Sequence, residues 1–168
     1  YEALEAYTQA QDFYVNVSDN FKVAEVKLEI ANIYYIIYKH DNAKFILNEL
    51  YNNKDLPPEM QVKVNLALAK LTDNPDEEFN YYEKSLKLAD IHMDKTVLAE
   101  LYYKFAGAND ERDDMRMAVL YYKKCIELDA NPNTNQYLSM ALANLAELYD
   151  EAGSPQHAIK YYNESIKI

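Results

Sequence analysis

The chain has 168 residues, 49% hydrophobic and 27% charged, enough apolar material for a folded core and too much for a disordered polymer. Its formal net charge is -11, with eight basic against fifteen acidic side chains in residues 1–84 and nine against thirteen in residues 85–168. Arginine is confined to Arg112 and Arg116, so binding to nucleic-acid phosphates or to acidic partners is disfavoured.

Two glycines and five prolines leave few turn signals, and apolar residues recur three and four apart rather than alternating, so the class is all-α. Taken in chain order, Asp41 or Asn42 offers a helix cap, and Pro57-Pro58 then opens a new helix. Asn74-Pro75-Asp76-Glu77 combines a cap, a first-turn proline and acids that favour the helix dipole. Near the C-terminus, Leu142, Leu145, Ala146 and Tyr149 share one helical face; after the break at Gly153-Ser154-Pro155, Ala158, Tyr162 and Ser165 share another. These are two antiparallel helices, with Ser154 as cap and Pro155 as first helical residue. A Tyr-Tyr-x-x-small-aliphatic-x-aliphatic pattern occupies residues 81–88, 121–128 and 161–168, an unbroken spacing of 40. Recurrence at that length means one helical unit stacked repeatedly.

The helix pair resembles the tetratricopeptide repeat, whose first helix (A) carries large-large-small-large residues and whose second (B) carries small-aromatic-small. The last unit matches through Leu142, Leu145, Ala146, Tyr149, Gly153, Ala158, Tyr162 and Ser165. The unit before it matches through Tyr102, Phe105, Ala106, Ala118, Tyr122 and Cys125, with Asn109 in an aromatic's place; a second register through Leu98, Leu101, Tyr102 and Phe105 is equally open. Earlier still come Val62, Leu66, Ala69, Tyr82 and Ser85, with Glu78 where alanine is usual, and then Ile30, Ala31, Tyr34, Ala43, Leu47 and Leu50. Ala3, Tyr7 and Ala10 match a helix B with no helix A before it. The residue opening each helix-B face falls at 3, 43, 78, 118 and 158. Spacings of 40 exceed the usual 34, as in kinesin light chains and bacterial peptide-sensing regulators, and lengthen each helix pair by about 9 Å.

The resemblance implies a right-handed superhelical solenoid of about nine antiparallel helices: one domain over 1–168, with a partial repeat at 1–18 and repeats at about 19–56, 57–92, 93–132 and 133–168. Residue 1 is Tyr and the chain opens inside a repeat, the pattern expected of a piece of a larger protein. The Leu4, Tyr7 and Tyr14 side of the first helix is expected to lack a partner and to fray or self-associate.

Little in the sequence suggests chemistry, and the chain is read as non-enzymatic, without cofactor or metal. His40, His92 and His157 lie near helix junctions of different units, and Gly107 and Gly153 are isolated. Cys125 has Lys123 and Lys124 nearby, as a reactive thiol would, but occupies the packing slot of Ala10, Ser85 and Ser165. A lone cysteine makes no internal disulfide and suits a reducing, cytoplasmic setting. No apolar run is long enough to span a membrane. Tyr82, Tyr122 and Tyr162 are read as packing residues, with Tyr81, Tyr121 and Tyr161 half-exposed on the convex side. The acidic clusters Asp73, Asp76, Glu77, Glu78 and Asp110, Glu111, Asp113, Asp114 are read as solvated turns and helix starts.

In the family the concave groove is lined by helix A at its second, fifth, ninth and twelfth positions. Carried over, these are Glu25, Leu28, Asn32 and Tyr35; Met60, Lys63, Ala67 and Lys70; Glu100, Tyr103, Gly107 and Asp110; and Met140, Ala143, Glu147 and Asp150. The basic set that clamps a terminal carboxylate in chaperone-binding members is not reproduced by Lys63 and Lys70 alone. The expected function is a scaffold for a protein or peptide with basic and apolar residues. The alternative is a ligand- or peptide-sensing module of a multidomain bacterial regulator.

Overall fold

The computed structural model describes residues 2–90, 92–128 and 134–168; the expected repeat boundary at 132/133 falls outside them. Nine α-helices and no strand lie among the described residues. Two compact units hold them, residues 1–88 and 89–168. The first contains α1 (Glu2–Asn16), α2 (Asn20–Ile36), α3 (His40–Asn52), α4 (Pro58–Ala69) and α5 (Pro75–Leu88). The second contains α6 (Lys95–Asp110), α7 (Met115–Ile126), α8 (Asn135–Glu151) and α9 (Pro155–Ser165). Within each unit every helix packs on the next, and the A helices also meet, α2 with α4 and α6 with α8.

The core of the first unit joins Ala24, Leu28 and Ala31 of α2, Ala43, Leu47 and Leu50 of α3, and Met60, Val64 and Leu68 of α4. Each set is spaced by three and four, the stripe that a 3.6-residue helix turns toward one neighbour. On α4, Val62, Leu66 and Ala69 form a further buried face, because this helix packs against α2, α3 and α5 at once. In the second unit Ala99 and Ala106 of α6, Ala118, Tyr122 and Cys125 of α7, and Leu138, Ala141, Leu145 and Leu148 of α8 make the corresponding core.

The two registers left open for α6 are now separated. The helix ends at Asp110, forty residues before Asp150 near the end of α8, so Tyr102, Phe105, Ala106 and Asn109 are the repeat positions. Asn109 is 3% exposed where an aromatic is usual. Its Nδ2 donates to the Phe105 carbonyl at 2.6 Å, which satisfies the buried amide within its own helix.

Four of the corners are built alike. Ser18, Tyr38, Asp113 and Gly153 have positive φ (58°, 59°, 59° and 70°). The N–H of the next residue closes on a carbonyl five positions back: Asp19 to Tyr14 at 3.0 Å, Lys39 to Tyr34 at 2.8 Å, Asp114 to Asn109 at 2.9 Å and Ser154 to Tyr149 at 2.8 Å. This is the Schellman closure. The residue that closes one helix is also the N-cap of the following one. Asp19 and Asp114 complete that cap through their carboxylates, which accept from the N–H groups of Lys22 and Met117. The α4–α5 corner instead uses Asn74, whose Oδ1 accepts from the Asp76 N–H at 3.0 Å, and lacks a positive-φ residue. The drop in repeat spacing to 35 comes from α4, which has 12 residues against 17, 16 and 17 in α2, α6 and α8.

Several expectations are corrected. The N-cap of α3 is Lys39, not Asp41 or Asn42, because the Schellman closure fixes where the helix begins. Ser154 holds its N-cap position without a side-chain cap, its Oγ lying 2.8 Å from His157 Nδ1 instead. Leu4, Tyr7 and Tyr14 are half-buried; it is Phe13, at 61%, that stands out to solvent. Tyr82 and Tyr122 are buried as packing residues, but Tyr162 is 41% exposed, since α9 packs on α8 alone among the described helices. The first tyrosine of each pair is by contrast half-exposed as expected, with its ring against a neighbour: Tyr81 meets Tyr51 edge-on at 5.8 Å, Tyr121 meets Phe105 at 4.7 Å, and Tyr161 stacks on Tyr149 at 5.5 Å.

Two stability outcomes follow from this packing. Tyr122→Ala should cost about 3–5 kcal/mol in urea unfolding, while Tyr162→Ala at the same repeat position should cost about 1 kcal/mol or less. Tyr38→Gly should stabilise by about 0.5–1 kcal/mol, because an exposed aromatic in left-handed backbone gives up more strain than the added chain entropy of glycine costs; calorimetry would measure it.

Candidate functional site

The sixteen helix-A positions divide between the units. In the first, Glu25 and Leu28 of α2 with Met60 and Lys63 of α4 line a cavity of ≈ 380 Å³, which Tyr7 and Tyr14 of α1 close at one side. Asn32 and Tyr35 with Ala67 and Lys70 line a second, of ≈ 430 Å³. Leu28 and Met60 are buried in the first cavity and Ala67 in the second, whereas Lys70 is exposed. Charge on this face is internally matched, by Lys63 to Glu59 at 2.8 Å and Lys22 to Glu25 at 2.5 Å.

The second unit places Glu100, Tyr103, Gly107 and Asp110 on α6 and Met140, Ala143, Glu147 and Asp150 on α8. The Tyr103 ring sits 6.0 Å from Tyr122 and 5.9 Å from Tyr137. Tyr122 Oη accepts from Asn144 Nδ2 at 2.9 Å and lies 3.7 Å from where a Cβ on Gly107 would be. Burial pushes the Tyr122 hydroxyl up to about 12, with the Asn144 hydrogen bond opposing and the Asp110 carboxylate adding to it. Burial likewise pushes Tyr137 up to about 12, helped by Glu100, to which it is hydrogen-bonded. Burial holds the Asp110 carboxyl above its ordinary range, and Glu151 and then Asp113 raise it further.

The structure thus brings Tyr103 and Glu100 into one cluster with Tyr122, Tyr137 and Asn144, and gathers Asp110 with Glu151 and Asp113. Met140, 38% exposed, and the exposed Glu147 and Asp150 continue the stripe along α8, with Ala143 half-buried among them. Tyr137, Asn144 and Glu151 were missed from sequence. They fall on the line 137–140–144–147–151: Tyr137 lies one turn before Met140, while Asn144 and Glu151 directly follow the stripe residues Ala143 and Asp150.

Other residues singled out from sequence have plainer places. Cys125 is fully buried, its Sγ donates to the Ala99 carbonyl at 3.5 Å, and burial pushes the thiol up to about 12, so it packs rather than reacts at neutral pH. His40 stacks on Tyr35 at 5.5 Å and His157 on Tyr149 at 5.1 Å, each pinning a corner. Among the described residues no group of three or more His, Cys, Asp and Glu could hold a metal ion, and no helix is long and apolar enough to cross a membrane.

The tetratricopeptide repeat profile matches residues 99–132 and 141–168, the same two helix pairs. Tetratricopeptide repeats make up the second unit. Response regulator aspartate phosphatase H of Bacillus subtilis (strain 168) is 26% identical over 176 residues, covering 98% of this chain and 45% of that protein. The chain therefore spans less than half the length of that relative. Among solved structures, MamA aligns with a TM-score of 0.66 at 17% identity, covering 98% of this chain and 85% of that one. BtubC (BKLC) from P. vanneervenii aligns at 0.57 and 13% identity, covering 99% and 89%. At such identities the likeness shows the fold, an all-α tetratricopeptide-type solenoid.

Asp110 tests the electrostatics of this tetratricopeptide face. Its folded pKa is raised, so the stability it favours is present below the ordinary carboxylate range and is lost as pH rises through the raised value. It also places negative charge at the C-terminus of α6, where the dipole disfavours it. Asp110→Asn should raise the melting temperature at pH 7 by about 1–2 °C and change it little at pH 3, measured by thermal scans.

Proposed function

We propose that the chain is a protein- or peptide-binding scaffold, without catalysis of its own, whose second-unit face takes a ligand carrying basic and apolar residues. The observation that carries this reading is the unrelieved acidity along α6 and α8. Asp110 is held up by burial and by Glu151 and Asp113, and Glu147 and Asp150 stand exposed on the same stripe. A lysine or arginine laid over that stripe relieves the repulsion, while Tyr103, Met140 and Ala143 supply apolar contact. Lys63 and Lys70 belong to the first-unit face, where Lys63 is matched by Glu59, so that face contributes shape and apolar floor more than net charge.

Charge reversal tests it. Glu147→Lys with Asp150→Lys should weaken binding of a fluorescein-labelled Lys/Leu peptide by about tenfold or more, read by fluorescence anisotropy, with a steep salt dependence in the parent and a shallow one in the variant. Equal affinity in both proteins would remove the acidic stripe from the reading.

A second reading is a regulatory module of a larger bacterial protein. The alignment of 98% of this chain with a response regulator aspartate phosphatase favours it. Here a ligand on the helix-A faces shifts the population of helix arrangements and so governs an attached activity. The test is whether the protein binds, or speeds the dephosphorylation of, an aspartyl-phosphorylated response regulator. Neither effect would leave the scaffold alone.

A further inference from the structure

A third cavity, of ≈ 330 Å³, opens in the first unit among the ends of α3 and α5 and the side of α4. It is not part of the groove. Its α4 residues are Gln61, Val64 and Asn65, whereas the groove stripe is Met60, Lys63, Ala67 and Lys70. At 100° per residue the two sets are centred roughly 130° apart around the helix.

Its wall is basic in a chain of net charge -11. Lys54, Lys84 and Lys87 line it, and no carboxylate does. Lys84 Nζ donates to Tyr51 Oη at 2.6 Å and stands over the Tyr51 ring at 5.3 Å, and Lys54 stands over the same ring at 5.9 Å. Lys22, Lys27, Lys63 and Lys160 each have a carboxylate partner, and none of the three cavity lysines pairs with one among the described residues. The convergent ends of α3 and α5 offset only part of this charge. Each helix C-terminus presents about half a negative charge, so three ammonium groups leave roughly two positive charges over.

Hydrogen-bond donors and apolar floor complete the site. Since Tyr51 Oη accepts from Lys84, its own proton is left to donate elsewhere. Asn65 is 4% exposed, lines the cavity, and makes no hydrogen bond through its side chain to another described residue. Leu50, Val64 and Leu88 supply the apolar surface. We infer that this cavity binds a carboxylate borne on a short branched aliphatic group, with the anion against the lysines, Tyr51 and Asn65 and the alkyl part on the leucines and valine. The volume lies at the small end of ligand pockets, which suits one residue rather than a peptide segment. The same chemistry comes from a free branched acid or from the last residue of a peptide.

Titrating the ¹⁵N-labelled chain with N-acetyl-leucine and N-acetyl-leucinamide separates charge from shape. The acid should shift the amides of Tyr51, Lys54, Asn65 and Lys87 saturably, and the amide should bind at least tenfold more weakly. Lys84→Gln with Lys87→Gln should lose the acid at least tenfold while its circular dichroism and melting curve stay those of the parent; if that pair disturbs folding, Lys54→Gln beyond the end of α3 gives the same readout. Acetyl-Gly-Gly-Leu binding as well as the single residue would assign the site to peptide C-termini, and its exclusion to free acids; either supports the inference. Equal shifts from acid and amide, no saturable shift, or shifts confined to the groove residues would overturn it. Because Glu147 and Asp150 lie in the other unit, the charge-reversed variant should bind N-acetyl-leucine unchanged, which keeps this result separate from the groove proposal.

Discussion

Close approach of helices at small side chains is the constraint on which the rest depends. Ala43, Ala118, Ser85 and Cys125 have no exposed surface, and Ala158 has 3%. A larger side chain at these points would push the helices apart, and overpacking in an interior at crystal-like density costs on the order of 1–3 kcal/mol. Only when the backbones sit this close do Tyr82 and Tyr122 reach across and fill the space beyond. That in turn fixes the helix-A faces: Tyr103 is held by Tyr122 and Tyr137, and Gly107 leaves room for the Tyr122 hydroxyl.

The two units use charge differently on equivalent faces. In the first, each groove lysine beside α2 and α4 with a resolved partner is answered within three or four residues, as Lys22 is by Glu25 and Lys63 by Glu59. Such pairs on a partly exposed surface add little stability but leave the face close to neutral. In the second, Asp110, Glu147, Asp150 and Glu151 are carboxylates in succession, and Asp110 is raised by its burial first and by Glu151 and Asp113 after it. The second-unit face therefore carries a row of like charge where the first-unit face is paired, and a patterned field selects among ligands where a uniform one only repels.

Much of the fold was legible because it is local. Ala118, Tyr122 and Cys125 repeat Ala158, Tyr162 and Ser165 at a fixed distance, and a helix stripe is visible in any window of a dozen residues. Burial was less legible: Tyr162 carries the same motif as Tyr122 but has one packing helix instead of two, which no local pattern encodes. The corner at Lys39 was missed because a Schellman closure is a backbone event, and lysine and tyrosine are poor advertisements for it. The expected helix-A stripe came from the family resemblance rather than from the residues themselves, and it stopped a turn short of Tyr137 and one residue short of Glu151. The lysine-lined cavity was not readable at all, since Tyr51, Asn65 and Lys84 come from three helices and meet only after packing.

The corners carry a further consequence. One residue ends a helix and starts the next, so there is no slack in which to absorb a change of length. Inserting or deleting a single residue beside Asp113 or Gly153 rotates everything downstream in that helix by 100°, turning its alanines toward water and its lysines inward. Growth and loss in such a chain are therefore quantised, proceeding by whole hairpins or at joints of the Asn74 type, where a longer connection has already given up the rigid corner for tolerance.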